Sequence, residues 1–304
     1  MKKFIIQKSG GGELANQLWN YVSIYAYGLE TGAAVRNPAF FEYHSFFNFL
    51  PQGSWATRFV SLFFQRVRRR AHPINRFWRT FYAGWNKLVL GLHASCTLSS
   101  QNTANATTYL PPTQPLQSPP CSTLYFAGWL FRNPDGLKKY RTQLLDAFSP
   151  RADIKQKVDE TIAALRTNKK HLIGVHIRQG DYKTFKGGRY LVPTARMREI
   201  IDEYITERGI SPADTAVLIA SDEAVDLTLF KGLEVLRSAE DAVTDLFLLS
   251  RCDTVIGSDS SFGNFAAWYG NIPHIVATKE PVDWSYYADK KEYFQNKYAT
   301  LVQF

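Results

Sequence analysis

The stretch HLIGVHIRQGDY (171–182) decides the fold. Its first half is a short, nearly continuous apolar run, the pattern of a strand covered on both faces of a sheet. It then delivers His176, Arg178, Asp181 and Tyr182 within a few residues. In open α/β sheets ligands bind off the carboxyl ends of strands, so a buried strand that ends in charged side chains reads as the wall of a ligand crevice. The sequence downstream supports that reading by alternation. A helix is predicted over 193–209 with Pro193 in its first turn, then strands over 216–222 and 233–237, a helix over 242–252, a strand over 253–258, a helix over 261–270 and a strand over 273–278. Alternating strands and helices imply a parallel sheet covered on both faces. Arg178, Asp222 and Ser258 then all fall at carboxyl ends of predicted strands and converge on one crevice.

Upstream, FIIQKSGGG (4–12) predicts a strand running into glycines. Leu14, Leu18, Val22, Tyr25 and Leu29 recur at helical spacing, with Gly32 as the stop, and a second strand is plausible near 33–36. Strand character returns over 123–131, helices follow over 137–148 and 150–170, and the last of these is taken as the junction. A chain of 304 residues suits two domains. The expected division is an N-terminal domain, 1–150, and a C-terminal domain, 151–304. The stretch 94–122 is rich in Ser, Thr, Asn, Pro and Gln and reads as a loop.

The net charge of +9 is unevenly placed. Between Tyr43 and Pro134 there is no Asp or Glu, while nine Lys or Arg fall there; the remaining 27 basic and 27 acidic residues cancel. Most of the excess lies in 58–92, where arginines interleave with Phe, Trp and Tyr. Such a segment is either a solvated basic face or a surface for an anionic membrane or substrate. Nucleic acid is not expected, because no nucleic-acid-binding motif accompanies it. No apolar run reaches the roughly 18 residues of a membrane span. Cys96, Cys121 and Cys252 stand far apart, which reads as reduced thiols in a cytoplasmic protein, and the basic aromatic segment would hold such a protein peripherally at the inner membrane face.

Arg178 carries the strongest chemical signal. A guanidinium at the mouth of a parallel sheet offers five fixed donors and a permanent charge, so a diphosphate or carboxylate is its natural partner, with a salt bridge to Asp181 as the structural alternative. GSDSSFGNFAAWYG (257–270) is a strand-to-helix turn whose Ser258, Asp259 and Ser260 suit a helix cap or an anion site. Asp245 lies in an apolar helix and needs a partner. A capping role is one reading; the other is guanine, whose N1–H and N2–H a single carboxylate can accept. GGGELA (10–15) fits the dinucleotide fingerprint, with Glu30 as its acid, but Glu30 falls at the end of the first predicted helix rather than of the second strand. A nicotinamide-dependent oxidoreductase, or a nucleotide- or nucleic-acid-binding protein without catalysis, therefore stand as alternatives. No D-x-D pair, Walker loop or H-E-x-x-H is present, and neither metal nor cofactor is expected.

Three stretches together, GELANQLWNY (12–21), HIRQGDY (176–182) and SDSSFGNFAAW (258–268), resemble the signature blocks of the alpha-1,2-fucosyltransferases, and GWLFRNPDGLKKYR (128–141) resembles a looser fourth. The resemblance implies a GT-B-like α/β fold, two Rossmann-like domains with parallel sheets facing a central cleft. It implies an inverting, metal-independent transfer of L-fucose from GDP-fucose to a sugar hydroxyl, a galactose 2-hydroxyl of a surface glycan or lipid-linked precursor. Arg178 would bind the diphosphate, His176 and Asp245 the guanine, and Ser260, Ser261 and Phe262 the phosphate and base. Asp222 falls in the matching order, and Asn16 belongs to the first loop. Glu13 and Ala15 replace two glycines of the first block; Glu13 is then a candidate general base, with Asp181 as its competitor. Gln179 stands where a second basic residue is common, and Asp259 where the family has Asn.

Overall fold

A computed structural model describes residues 2–7, 12–49, 73–100, 107–111, 121–291 and 295–301. The chain forms two compact units, Met1–Arg151 and Ala152–Gln303. The first contains β1 (Lys3–Gln7), α1 (Leu14–Thr31), β2 (Ala34–Arg36), α2 (Pro73–Leu92), β3 (Thr97–Ser99), β4 (Thr108–Tyr109), β5 (Thr123–Ala127), β6 (Phe131–Arg132), α3 (Pro134–Lys139) and α4 (Arg141–Ala147). Its main sheet runs β2-β1-β5-β3, all parallel, and β4 pairs with β6. The predicted helical spacing buries Leu14, Leu18 and Val22 of α1, and the helix stops at Gly32. The core is aromatic: Tyr21 meets Phe148 edge-on at 4.8 Å and Phe40 at 5.6 Å, and Phe126 meets Phe131 at 5.1 Å.

Four expectations about this unit change. The strand predicted over 123–131 breaks at Gly128 into β5 and β6, and the helix predicted over 137–148 is two helices meeting at Tyr140. The polar stretch 94–122 is not all loop, since β3 and β4 lie within it; residues 101–106 and 112–120 fall outside the described set. Cys96 and Cys121 are disulfide-bonded, with Cα atoms 6.0 Å apart, and not reduced. The cause is topological: β3 follows Cys96, β5 follows Cys121 shortly after, and the two strands pair in parallel with Thr97 opposite Tyr125, which brings both cysteines to the same sheet edge. Cys252 is a buried free thiol. Among the described residues no helix is long and apolar enough to cross a membrane.

The second unit contains α5 (Ala152–Arg166), β7 (His171–Ile177), α6 (Thr194–Glu207), β8 (Thr215–Ser221), β9 (Glu234–Arg237), α7 (Ala242–Ser250), β10 (Thr254–Ser258), α8 (Ser261–Gly270) and β11 (His274–Ala277). Its sheet is parallel in the order β11-β10-β7-β8-β9. The apolar run of 171–177 is explained by this order, because β7 is central and packed on both faces. Ile173, Val175 and Ile177 join Met197, Ile200 and Ile201 of α6 in one core. On the other face Gly174 lies against Leu249 and Cys252, and His176 against Gly263 of α8. Each fully buried aliphatic side chain contributes about 2 kcal/mol. The chain runs outward from β7 to β9, then returns to place β10 on the opposite side of β7. The strand order thus reverses between β7 and β10, the topological switch point where such sheets bind ligands.

Candidate functional site

At the switch point the two strands approach closely. Gly257 of β10 pairs with His176 of β7, and a Cβ on Gly257 would stand 3.0 Å from both the Cβ and the carbonyl oxygen of His176. Only glycine fits there without moving a backbone.

The loop after β7 is locked from two sides. The Asp222 carboxylate, just past β8, accepts the N–H groups of Gln179 at 2.9 Å and Gly180 at 3.1 Å. Asp222 thereby fixes the loop. Arg178 donates through Nε and Nη2 to the two oxygens of Asp181, both at 2.9 Å, and lies 5.0 Å over the Tyr182 ring. This side-on pair spends one edge of the guanidinium and leaves the Nη1 edge for an anion. The hydrogen bonds from Arg178 hold the Asp181 carboxyl below its usual range. Tyr182 donates its hydroxyl proton to the Asp259 carbonyl at 2.8 Å, which ties this loop to the one after β10.

Across the switch point, Ser260 caps α8 by accepting the Gly263 N–H at 3.3 Å, and its hydroxyl is 3.1 Å from His176 Nδ1. Burial, then Arg178 and His274, push the His176 pKa down to about 3, so the ring is neutral. The Ser260 hydroxyl thus links the α8 cap to the neutral imidazole. Phe262 stacks on His176 at 4.8 Å. Ser261 opens α8, whose first-turn N–H groups have no intrahelical acceptor. Asp259 Oδ2 accepts from Thr300 N, Thr300 Oγ1 and Leu301 N at 2.7, 2.7 and 3.0 Å, so this acid anchors the C-terminal segment.

Asp245 lies near the start of α7 and accepts a hydrogen bond from Ser238, the residue after β9. It is not the cap; Asp241 is, accepting from Val243 and Thr244 at 2.9 and 3.1 Å. Burial raises the Asp245 carboxyl to about 6.

The sequence-predicted residues thus divide by unit. Arg178, Asp181, Asp222, His176, Ser260, Ser261 and Phe262 gather where β7, β8 and β10 end, with Asp245 beside the ends of β8 and β9. Glu13 and Asn16 lie in the first unit, at the start of α1. There Tyr43 donates to Glu13 Oε2 at 3.3 Å, and Gln17 donates to the Gly12 carbonyl at 3.3 Å. Gly12 has φ 98°, and a Cβ on it would meet the Asn16 Cβ at 2.6 Å, so this glycine is required although its neighbour is Glu13. Gly10 and Gly11 lie outside the described residues. Glu30 falls within α1 and accepts from Asn133 at 3.1 Å, so it does not end the second strand as a dinucleotide-binding acid would. Sequence reasoning missed Ser238 and His274. The partner of Asp245 is unreadable because β9 precedes α7 by an irregular link. His274 is buried with no protein hydrogen bond at either ring nitrogen, and burial pushes its pKa down to about 3. Among the described residues no group of three or more His, Cys, Asp or Glu could hold a metal ion.

The sequence matches no protein-family model and no curated protein. Solved structures do match. Fucosyltransferase NodZ from Bradyrhizobium superposes with a TM-score of 0.53 at 16% identity, covering 91% of this chain and 95% of that one. The chain has a GT-B-like fold. A second structure, NodZ alpha-1,6-fucosyltransferase co-crystallised with GDP, gives 0.50 at 18% identity, over 91% and 95% of the two chains. A mutant of Arabidopsis thaliana FUT1 in complex with GDP gives 0.51 at 13% identity, over 91% of this GT-B-like chain and 70% of that one.

Proposed function

We propose that the chain is an inverting fucosyltransferase that needs no metal and moves L-fucose from GDP-fucose to a sugar hydroxyl. The observation that carries the reading is Arg178, held by Asp181 and Tyr182 at the switch point beside the α8 start. The fold likeness to fucosyltransferases, two of them solved with GDP, agrees with it. In this reading the second unit binds the donor. Arg178 and the α8 N–H groups take the diphosphate, where charge grows as GDP leaves an oxocarbenium-like sugar; a fixed cation stabilises that charge in place of a metal. Asp245 accepts from guanine N1–H and N2–H. His176, held by Ser260, and Phe262 line the base side.

The acceptor hydroxyl must lose its proton. Asp181 suits this poorly, because its pairing with Arg178 lowers its basicity; it is a positioning residue for the arginine. Glu13 is the stronger base candidate. The proposed acceptor is a galactose 2-hydroxyl of a surface glycan or its lipid-linked precursor. The first unit would serve the acceptor.

Titration calorimetry with GDP, UDP and ADP in EDTA, on wild type and Arg178→Ala, tests the donor site. GDP binds without metal, UDP and ADP do not, and the variant loses roughly 2–4 kcal/mol. UDP or ADP binding of equal strength, or indifference to Arg178, would end the reading.

A further inference from the structure

Helix α2 presents an apolar face that nothing among the described residues of its unit covers. It docks by one side only. Tyr82 donates its hydroxyl to Gln7 Oε1 at 2.9 Å and meets Phe41 edge-on at 5.2 Å, Arg79 pairs with Glu42 at 2.6 Å, and Asn86 is buried. On another side Phe77, Phe81, Trp85, Leu88 and Leu92 are 60%, 56%, 53%, 54% and 72% exposed. Their spacing of four, four, three and four residues keeps all five within an arc of roughly 80° at 3.6 residues per turn. Together they expose on the order of 500 Å² of apolar surface, near the upper end for a monomer. The stripe is continuous along a 20-residue helix. Arg76 and Lys87 are exposed and lie on the helix surface between the docked side and the stripe.

We propose that this stripe seats on the surface of an anionic lipid bilayer, with α2 lying parallel to the membrane plane. Charge chooses the occupant. A second copy of the chain would bring together two α2 helices that each carry Arg76, Arg79 and Lys87 and no Asp or Glu. Glu42, the acid that faces α2, is already taken by Arg79. Phe, Trp and Leu beside Lys and Arg is the composition of a helix that binds at the headgroup boundary, where apolar side chains enter the acyl region and cations meet anionic lipid. The same helix is not apolar enough to span. Arg58, Arg66, Arg68, Arg69 and Arg70 precede it in sequence and lie outside the described residues; the seat is assigned to α2 alone.

The test is co-sedimentation of the full chain with vesicles of phosphatidylcholine alone and with about one third phosphatidylglycerol. The variant Phe77→Ser/Phe81→Ser/Trp85→Ser changes exposed side chains only, and Arg76→Glu/Lys87→Glu reverses the exposed charge of the helix. Wild type is expected to pellet with the anionic vesicles, release in high salt, and lose at least tenfold in partitioning in either variant. Circular dichroism and GDP titration report the fold and the donor site separately, so a failure of the fucosyltransferase reading leaves the vesicle result intact. No pelleting of wild type, or pelleting unchanged in the Ser variant, overturns the proposal. So does a wild-type dimer in sedimentation velocity that the Ser variant converts to monomer, because the stripe then serves a second copy.

Discussion

The two histidines under α8 make a sharp prediction about acid. His176 and His274 are both buried, and burial is the main reason that both pKa values fall from 6.5 to about 3. A Cβ on Gly263 would stand 3.2 Å from one ring and 3.8 Å from the other, so both rings line the same contact between α8 and the sheet. Above pH 6.5 both are neutral in folded and unfolded chains and contribute no pH dependence. As pH falls below 6.5 the unfolded chain binds two protons that the folded one refuses, so stability is lost progressively toward pH 3. Well below pH 6.5 each histidine costs about 1.4 kcal/mol per pH unit, and the pair loses about 3 kcal/mol between pH 6.5 and 5. Asp245 and Asp259, whose carboxyls are raised by burial, bind protons when folded and oppose the trend. The clean observable is therefore a difference of slopes. Urea unfolding of wild type and His274→Leu from pH 7.5 to 5 should give equal slopes against pH at the top of the range and, toward pH 5, a slope that is flatter in the variant by up to about 1.4 kcal/mol per unit, whatever its stability at neutral pH. Equal slopes throughout, or an NMR titration of His274 near 6.5, would refute the reasoning, since the ring would then protonate in the folded protein.

With Asp245 as the guanine reader, GDP affinity should hold above about pH 6 and fall toward tenfold per unit below it; Asp245→Asn should remove that pH dependence, as calorimetry at pH 5, 6 and 7 would show. Asp259→Ala deletes three hydrogen bonds to Thr300 and Leu301 and should cost about 3 kcal/mol and expose the C-terminal segment to limited proteolysis. Reduction of the Cys96–Cys121 bridge, which spans 25 residues, should cost the first unit about 3.5 kcal/mol by the loop-entropy relation, read as a shift of its urea midpoint in the presence of phosphine reductant. Gly257→Ala should destabilise the second unit by about 2 kcal/mol, because the new methyl meets backbone rather than a movable side chain.

The second unit was legible in the sequence because its physics is local. A strand covered on both faces is apolar throughout, a helix after it repeats at 3.6, and β8, β10 and α8 fall within a residue of where those patterns predict them. Arg178, Asp222 and Ser258 follow from the same rule, since the end of a buried strand is where charge can first reach a ligand. Pairings between distant segments were not legible. Nothing near Cys96 announces Cys121; a parallel β3–β5 register joins them. Nothing near Asp259 announces Thr300, nor near Asp245 announces Ser238. The same limit applies to α2, whose basic aromatic composition is plain in sequence but whose outward face was settled only when Tyr82, Arg79 and Asn86 took the inward one. The sequence by itself determined the elements of the second unit and the residues at their strand ends, because hydrophobic period and strand ends are written locally. Tertiary structure alone decided partners, protonation and exposure, because each depends on what a distant part of the chain brings within hydrogen-bonding reach.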